Sequence, residues 1–314
     1  MFDAARERAI GAGYAAGWGL VKGLPKGMSR RAFRAAADAA TVRNGKGPQQ
    51  LRKNLRRVVG PAVSELRMDA LVGEALRSYA RYWLETFTLE TMDHGVLLDS
   101  FERNNTGVHH LDAAIEAGRG VVLALPHSGN WDASGLWLVH HSGPFTTVAE
   151  RLKPDSVFDR FVAYRESLGF EILPLTGGER PPAERLAERL RQNRVVCLLA
   201  DRDLSRSGVE VSFFGEPARM PPGPALLAAT TGASLHAARP FFTDDGGWGH
   251  DVGPPIQLPE GRLRERVVAG TQLLADHFAR GIAGRPTDWH MLQKLWLADL
   301  TARPEPAAAP ALSD

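Results

Sequence analysis

Residues 120–141 read GVVLALPHSGNWDASGLWLVHH, and the class of fold turns on how this stretch is parsed. Val121 to Leu125 is an unbroken apolar run that opens with two β-branched residues, the pattern of a fully buried strand. Pro126 ends the run and His127 follows at once. Beyond Asp132, Leu136, Trp137, Leu138 and Val139 predict a helix with a mostly apolar surface. A strand that feeds a helix through a short loop is the unit of an open α/β sheet, and ligands bind outside the carboxyl ends of such strands. His127 and Asp132 are five residues apart, which on one continuous helix would rotate them apart by roughly 140°. They can meet only with His127 in the loop and Asp132 in the first helical turn, and Gly129 supplies the bend. The expectation is that Asp132 accepts a hydrogen bond from one imidazole nitrogen and leaves the other free as a base.

Outward from there, strands and helices alternate. PFTTVAE reads as a strand ending at Glu150, DSVFDRFVAYRESLG as a helix, FEILPL as a strand, PAERLAERLRQN as a helix and RVVCLLADRD as a buried strand ending at Asp201. VEVSFFG alternates as a strand, PARMPPGP reads as a loop and ALLAATTG as a helix. SLHAARPFF and HDVGPPIQL read as strands, and RLRERVVAGTQLLADHFARGIA as a closing helix. Upstream, Val72, Leu76, Tyr79, Trp83 and Phe87 form the inward stripe of a long helix from about Pro61 to Thr88. DHGVLLDS reads as a break and LDAAIEAG as a short helix. The fold expected is a single α/β domain over residues 61–302, a central mixed sheet flanked by helices, preceded by an N-terminal amphipathic helical segment over residues 1–60. The tail, residues 303–314, is low in complexity and expected to be disordered. His127, Glu150 and Asp201 with Arg202 then fall at the ends of buried strands. In ADRDLSRSG, Arg202 and Arg206 are available for phosphates or a carboxylate, or for salt bridges within the loop.

Charge is distributed unevenly. Residues 1–67 hold 14 basic and 4 acidic side chains, whereas the rest of the chain holds 24 basic and 32 acidic ones. Such a basic segment suits a polyanion, nucleic acid or an anionic bilayer surface. Ala9–Val21, AIGAGYAAGWGLV, is too short to span a bilayer. With Tyr14, Trp18 and flanking Arg6, Arg8, Lys22, Lys26, Arg30 and Arg31, it suits a helix lying in the lipid interface or one packed on the domain. No nucleic-acid reading motif accompanies the charge, so no nucleic-acid partner is expected. Gly11, Gly13 and Gly17 follow no strand, so they are not a dinucleotide fingerprint. In LRKNLRRVV the stripe Leu51, Leu55, Val58 and Val59 leaves Arg52, Lys53, Arg56 and Arg57 to face head groups or water. The single cysteine, Cys197, excludes an intrachain disulfide and reads as a buried hydrophobe inside VVCLLA. No secretory apolar region with a cleavage site is evident. The pairs His109–His110 and His140–His141 lack partners at ligand spacing, so no metal is expected. G-x-S-x-G does not occur, which argues against an α/β-hydrolase.

HSGNWD, together with ADRD and VSFFGEPARMPPGPALLAATTGA, resembles the bacterial lysophospholipid-acyltransferase superfamily. The branch it is similar to holds the lipid A late acyltransferases and the actinobacterial enzymes that acylate phosphatidylinositol mannosides. The resemblance covers roughly Gly120 to Phe242. Its hallmark is a His and an acid separated by four residues; lipid A enzymes usually carry Glu at the second place, whereas this chain has Asp132, as the mannoside enzymes do. The resemblance implies transfer of a long-chain acyl group such as palmitoyl from acyl-CoA, a co-substrate, with no further cofactor. The acceptor implied is a mannose hydroxyl of a phosphatidylinositol mannoside. The protein would be peripheral on the anionic cytoplasmic face of the plasma membrane. In that reading His127 takes the hydroxyl proton, and Asp132 orients the imidazole and stabilises its cation. Arg165 stabilises oxyanion charge or binds CoA phosphates. Asp201 and Glu150 hold sugar hydroxyls or share the acid–base work, Arg202 and Arg206 bind substrate, and Ser128 is a turn or cap residue. Trp137, Phe161 and the helix ALLAATTG would wall an acyl tunnel. The alternatives are another lipid acceptor, a lysophospholipid or lipid A-like glycolipid, or a catalytically idle lipid-binding membrane protein.

Overall fold

The structure, a computed structural model, describes residues 2–151, 154–178, 180–203 and 208–301, with side chains from residue 11 to residue 300. Six helices come first: α1 Phe2–Gly23, α2 Lys26–Arg43, α3 Lys46–Val59, α4 Glu65–Thr88, α5 His94–Asn104 and α6 Val108–Glu116. The α/β body follows as β1 Val121–Leu125, α7 Trp131–Ser142, β2 Thr146–Ala149, α8 Asp155–Ser167, β3 Glu171–Pro174, α9 Pro182–Arg191 and β4 Val195–Leu199. It continues with β5 Val209–Phe213, β6 Glu216–Met220, α10 Gly223–Thr231, β7 Ser234–Phe242, β8 Trp248–Val252, α11 Leu263–Gly284 and α12 Leu297–Thr301.

The central sheet has the order β3-β2-β4-β1-β7-β8. All pairings are parallel except β7 with β8, so the sheet is mixed, as the alternation of apolar runs implied. The chain steps outward from β1 to β2 to β3 and then returns to insert β4 between β2 and β1. Helices cover both faces. Leu136 and Trp137 of α7 and Phe161 and Tyr164 of α8 pack with Val121, Leu123 and Leu125 on one face. Leu186 and Leu190 of α9, Leu227 and Ala228 of α10 and Phe278 of α11 pack with Val122 and Ala124 on the other. This alternation of β1 side chains between two apolar layers is why the strand reads as continuously hydrophobic.

The N-terminal helices pack on α4 around Ala37, Leu51, Leu55, Met68, Leu71 and Leu76. Trp18 of α1 is buried against Phe87, Phe161 and Tyr164, and its indole N–H donates to the Phe87 carbonyl at 3.1 Å. Tyr14, Leu20 and Met28 stay exposed beside Lys26, Arg30, Arg31 and Arg34. On α3, by contrast, the arginines are engaged: Arg52 and Arg56 pair with Glu65, and Arg57 with Glu216 and Asp299 at 2.8 Å. No helix among the described residues is long and apolar enough to cross a membrane.

Three elements differ from the sequence reading. Of HDVGPPIQL only His250–Val252 is strand, the end of β8, and residues 253–259 continue without one. DHGVLLDS does not break the chain but opens α5, where Asp93 caps the helix by accepting from the Val96 amide and Leu97 and Phe101 face the core. PARM, expected as the start of the loop PARMPPGP, instead forms β6 with Glu216 and pairs antiparallel with β5 as a two-stranded ribbon outside the main sheet. An edge ribbon tolerates a residue without an N–H. The tail expected to be disordered lies outside the described residues.

Candidate active site

Strand register brings the two ends of the site together. β1 and β4 run side by side with Leu125 opposite Leu199, so the residues two places further on, His127 and Asp201, leave the sheet at the same height. The His127 Nδ1 lies 2.5 Å from Asp201 Oδ1, and the His127 amide donates to Oδ2 at 2.9 Å. The Trp289 indole N–H donates to the same Oδ2 at 2.8 Å. Asp201 is fully buried. Burial alone would raise its pKa, but the charge and hydrogen bonds of His127 and the Trp289 N–H outweigh that and hold the carboxyl below the ordinary aspartate range. With Nδ1 donating to Asp201, Nε2 is the basic nitrogen, and it has no protein partner among the described residues. The His127 side chain is 34% exposed, open to a substrate.

The loop around His127 is fixed from below. The Ser128 amide donates to the Pro126 carbonyl at 2.8 Å, the Gly129 amide to the Asp288 carbonyl at 2.9 Å, and the His290 amide to the His127 carbonyl at 2.8 Å. The amides of residues 127–129 all point into the protein, so they form no oxyanion hole. Ser128 is buried with its hydroxyl on the Asp288 carbonyl at 3.2 Å, the turn role expected of it. Gly129 has φ +55°, and a Cβ there would sit 2.7 Å from the backbone of Pro240 and Phe241, so only glycine fits. Asn130 caps α7 through its side-chain oxygen to the Ala133 amide at 3.0 Å, while its amide group donates to buried Glu85 at 2.8 Å. Beside the loop, burial and the nearby His127 charge push the His290 imidazole down to about 3, so it stays neutral.

Asp132 lies in the first turn of α7, as the spacing required, but the hydrogen bond expected between it and His127 is not made. Fully buried, it accepts instead from Arg165 Nε at 2.8 Å and Nη2 at 3.4 Å, and from the Tyr82 hydroxyl at 3.4 Å. The reason is the neighbouring helix: α8 places the Arg165 guanidinium over the Trp131 ring at 4.3 Å, where only a carboxylate can neutralise it. Burial works against that cation, and the Asp132 charge more than compensates, holding Arg165 above its ordinary pKa. Burial and the same carboxylate push the Tyr82 phenol up.

Under α7 lies an apolar cavity of about 30 Å³, with lining residues from β4, β1, β7 and β8. Leu123, Leu125, Trp131, Trp137, Phe145 and Val252 line it, with Ser134 and His250 as its polar members. Trp137, expected in the wall of an acyl tunnel, lines this cavity. Phe161 and α10 do not line this cavity, and α10 covers the opposite face of the sheet. Cys197 also faces the cavity, and burial pushes its thiol up, which keeps it protonated.

The model of the bacterial lipid A biosynthesis acyltransferase family matches residues 5–298. The chain belongs to that family. It is 57% identical over 289 residues to a phosphatidylinositol mannoside acyltransferase of Mycolicibacterium smegmatis, covering 92% of each chain. It is likewise 57% identical over 288 residues to proteins of that name from two Mycobacterium tuberculosis strains, covering 92% of this chain and 89% of theirs.

In this acyltransferase the carboxyl ends of β2, β4 and β1 adjoin, which gathers Glu150, Asp201 with Arg202, and His127 along one rim. Glu150 is half exposed and accepts from Arg202 at 3.5 Å. Arg206 lies outside the described residues. Among the described residues no group of three His, Cys, Asp or Glu side chains could hold a metal ion. Trp289 is the partner of Asp201 that sequence reasoning missed. It follows the closing helix in a stretch without periodicity, and only the tertiary fold carries it back beneath Asp201.

Proposed function

We propose that this acyltransferase transfers a long-chain acyl group, palmitoyl in the first instance, from acyl-CoA to a mannose hydroxyl of a phosphatidylinositol mannoside. The names of its relatives support the acceptor. The observation that carries the chemistry is the His127–Asp201 pair, with a free imidazole nitrogen at the carboxyl edge of the sheet. In the reaction, His127 Nε2 takes the proton of the mannose hydroxyl as its oxygen bonds to the thioester carbonyl carbon. The tetrahedral oxyanion collapses, the carbon–sulfur bond breaks, and the imidazolium returns the proton to the CoA thiolate. Asp201 holds the tautomer and stabilises the imidazolium, so no covalent acyl-enzyme is required.

Asp132 and Arg165 act as a buried brace that fixes α7 against α8 and so sets the position of the His127 loop. Glu150 and Arg202 contact substrate at the rim, and Arg206 binds substrate as well. The acyl chain enters the seam between β1 and α7. The cavity there is smaller than a fatty chain, so a long donor parts the side chains that line it. The exposed cations of α2 and the apolar Tyr14, Leu20 and Met28 rest on the anionic cytoplasmic face of the plasma membrane, which brings the acceptor to His127.

Incubation with radiolabelled palmitoyl-CoA and purified phosphatidylinositol mannosides tests this reading. It predicts a labelled mannoside with wild-type protein and none with His127→Ala at an unchanged melting temperature. Labelling of a lysophospholipid or lipid A-like glycolipid in place of the mannoside would move the activity to another acceptor. No transfer to any lipid would leave a lipid-binding protein without catalysis.

A further inference from the structure

His250 stands out among the buried groups that the proposed reaction does not use. It lies on β8, packed between Phe101 at 5.2 Å and Trp137 at 4.3 Å between ring centres. Its Nδ1 meets the Ser134 hydroxyl at 3.1 Å, whereas Nε2 is buried with no partner among the described residues. The imidazole also lines the apolar cavity beneath α7, at its β8 end, two strands along the sheet from Leu125. At strand spacing that is about 10 Å from the wall nearest the His127 loop. Burial, with the charge of His141 nearby, pushes the imidazole down to about 3, so it is a neutral, half-satisfied polar group at physiological pH. Leaving such a group unpaired in an apolar site is unfavourable. A leucine would fill the same place without that penalty.

We propose that His250 is a polar end wall that sets the upper limit on the length of the transferred acyl chain. The proposal rests on the reading that the cavity takes the donor's acyl tail. A void of this size beside a polar nitrogen suits a water molecule, which would satisfy Nε2. A tail that stops short leaves that arrangement intact. One that reaches the end wall presses hydrocarbon against the imidazole and strips it of any partner, so the contact area gained is set against a desolvation penalty. Trp137, stacked on His141 and donating its indole N–H to Glu102 at 2.6 Å, backs the imidazole and keeps it from swinging aside.

The test is the ratio of kcat/KM for stearoyl-CoA to that for palmitoyl-CoA, measured on the full chain with His250→Leu and with His250→Ala. The first variant removes the polarity and keeps the bulk; the second also opens space. Both are expected to raise the ratio about tenfold, and His250→Leu to melt no lower than wild type. An unchanged ratio in both would overturn the proposal, and so would a rise in His250→Ala alone, which would make the wall steric. A palmitoyl-CoA bearing a diazirine at its terminal carbon separates this failure from failure of the underlying reading. Crosslinks within residues 121–138 or 248–252, or to Leu111, Phe145, Cys197 or Ala238, place the tail in the cavity, so an unchanged ratio then sinks the end wall alone. Crosslinks elsewhere sink the acyl reading of the cavity, and the proposal with it.

Discussion

His127 and Asp201 are held 74 residues apart in sequence by the same offset that pairs β1 with β4, so the register of two parallel strands makes the imidazole–carboxylate contact. The contact is therefore as stiff as the sheet. Asp132, which a reading of the motif alone assigns to this role, belongs to a different pair with Arg165. Asp201 and Asp132 are buried carboxylates with separate tasks: one faces the base, the other neutralises a cation stacked on Trp131.

Trp289 gives a first prediction. Its N–H stabilises the charged form of Asp201, so Trp289→Phe removes that support and raises the carboxyl's pKa. The acid limb of the pH–kcat profile should then move to higher pH, and stability should fall by about 1–3 kcal/mol. A pH profile identical to wild type would show that Trp289 acts only in packing.

Glu171 tests how β3 is tied to α9. Hydrogen bonds from Arg189, chiefly, and from Thr146 hold its carboxyl down to about 2 against an ordinary 4.5, despite some burial. A carboxyl depressed in the folded state contributes stability above its unfolded pKa, and that contribution is lost as pH falls from about 4.5 to about 2. Glu171→Gln should flatten the fall in melting temperature across this window and lower stability at neutral pH by about 1 kcal/mol. Parallel acid melting curves for the two proteins would contradict it.

The membrane contact predicts a salt-dependent association. Each cation near an anionic surface contributes about 1 kcal/mol, so replacing exposed Arg30, Arg31 and Arg34 together by Gln should weaken binding to phosphatidylserine vesicles roughly 100-fold. Binding of wild type should fall as salt rises. Equal binding to neutral vesicles in co-sedimentation would remove the electrostatic account of α2.

Much of this architecture is legible in the residues. The run Val121–Leu125, closed by Pro126 and His127, announces a strand meeting a functional loop, and the apolar stripes of α4, α8 and α11 declare their buried faces. The partner of His127 was within reach as well. VVLALPH and VVCLLAD are strands of equal length, each with its polar residue two places beyond the end. What composition and period could not supply was which strands adjoin, because β4 inserts between β2 and β1 only in the folded sheet. Gly95 masked α5, although Asp93 and the pair Leu97 and Phe101 carry a cap and a stripe. Trp289 had no local signal at all, since its role depends on a loop folding back after α11.

The most direct test compares kcat for Asp201→Asn and Asp132→Asn, each corrected for the fraction folded at the assay temperature. If Asp201 serves the base, its amide variant should lose about 10²–10⁴ in kcat after that correction. Asp132→Asn should instead lose about 3–5 kcal/mol of stability by leaving Arg165 unpaired, and keep kcat within about tenfold. The reverse, a catalytic collapse at Asp132 with Asp201→Asn still turning over, would contradict the account.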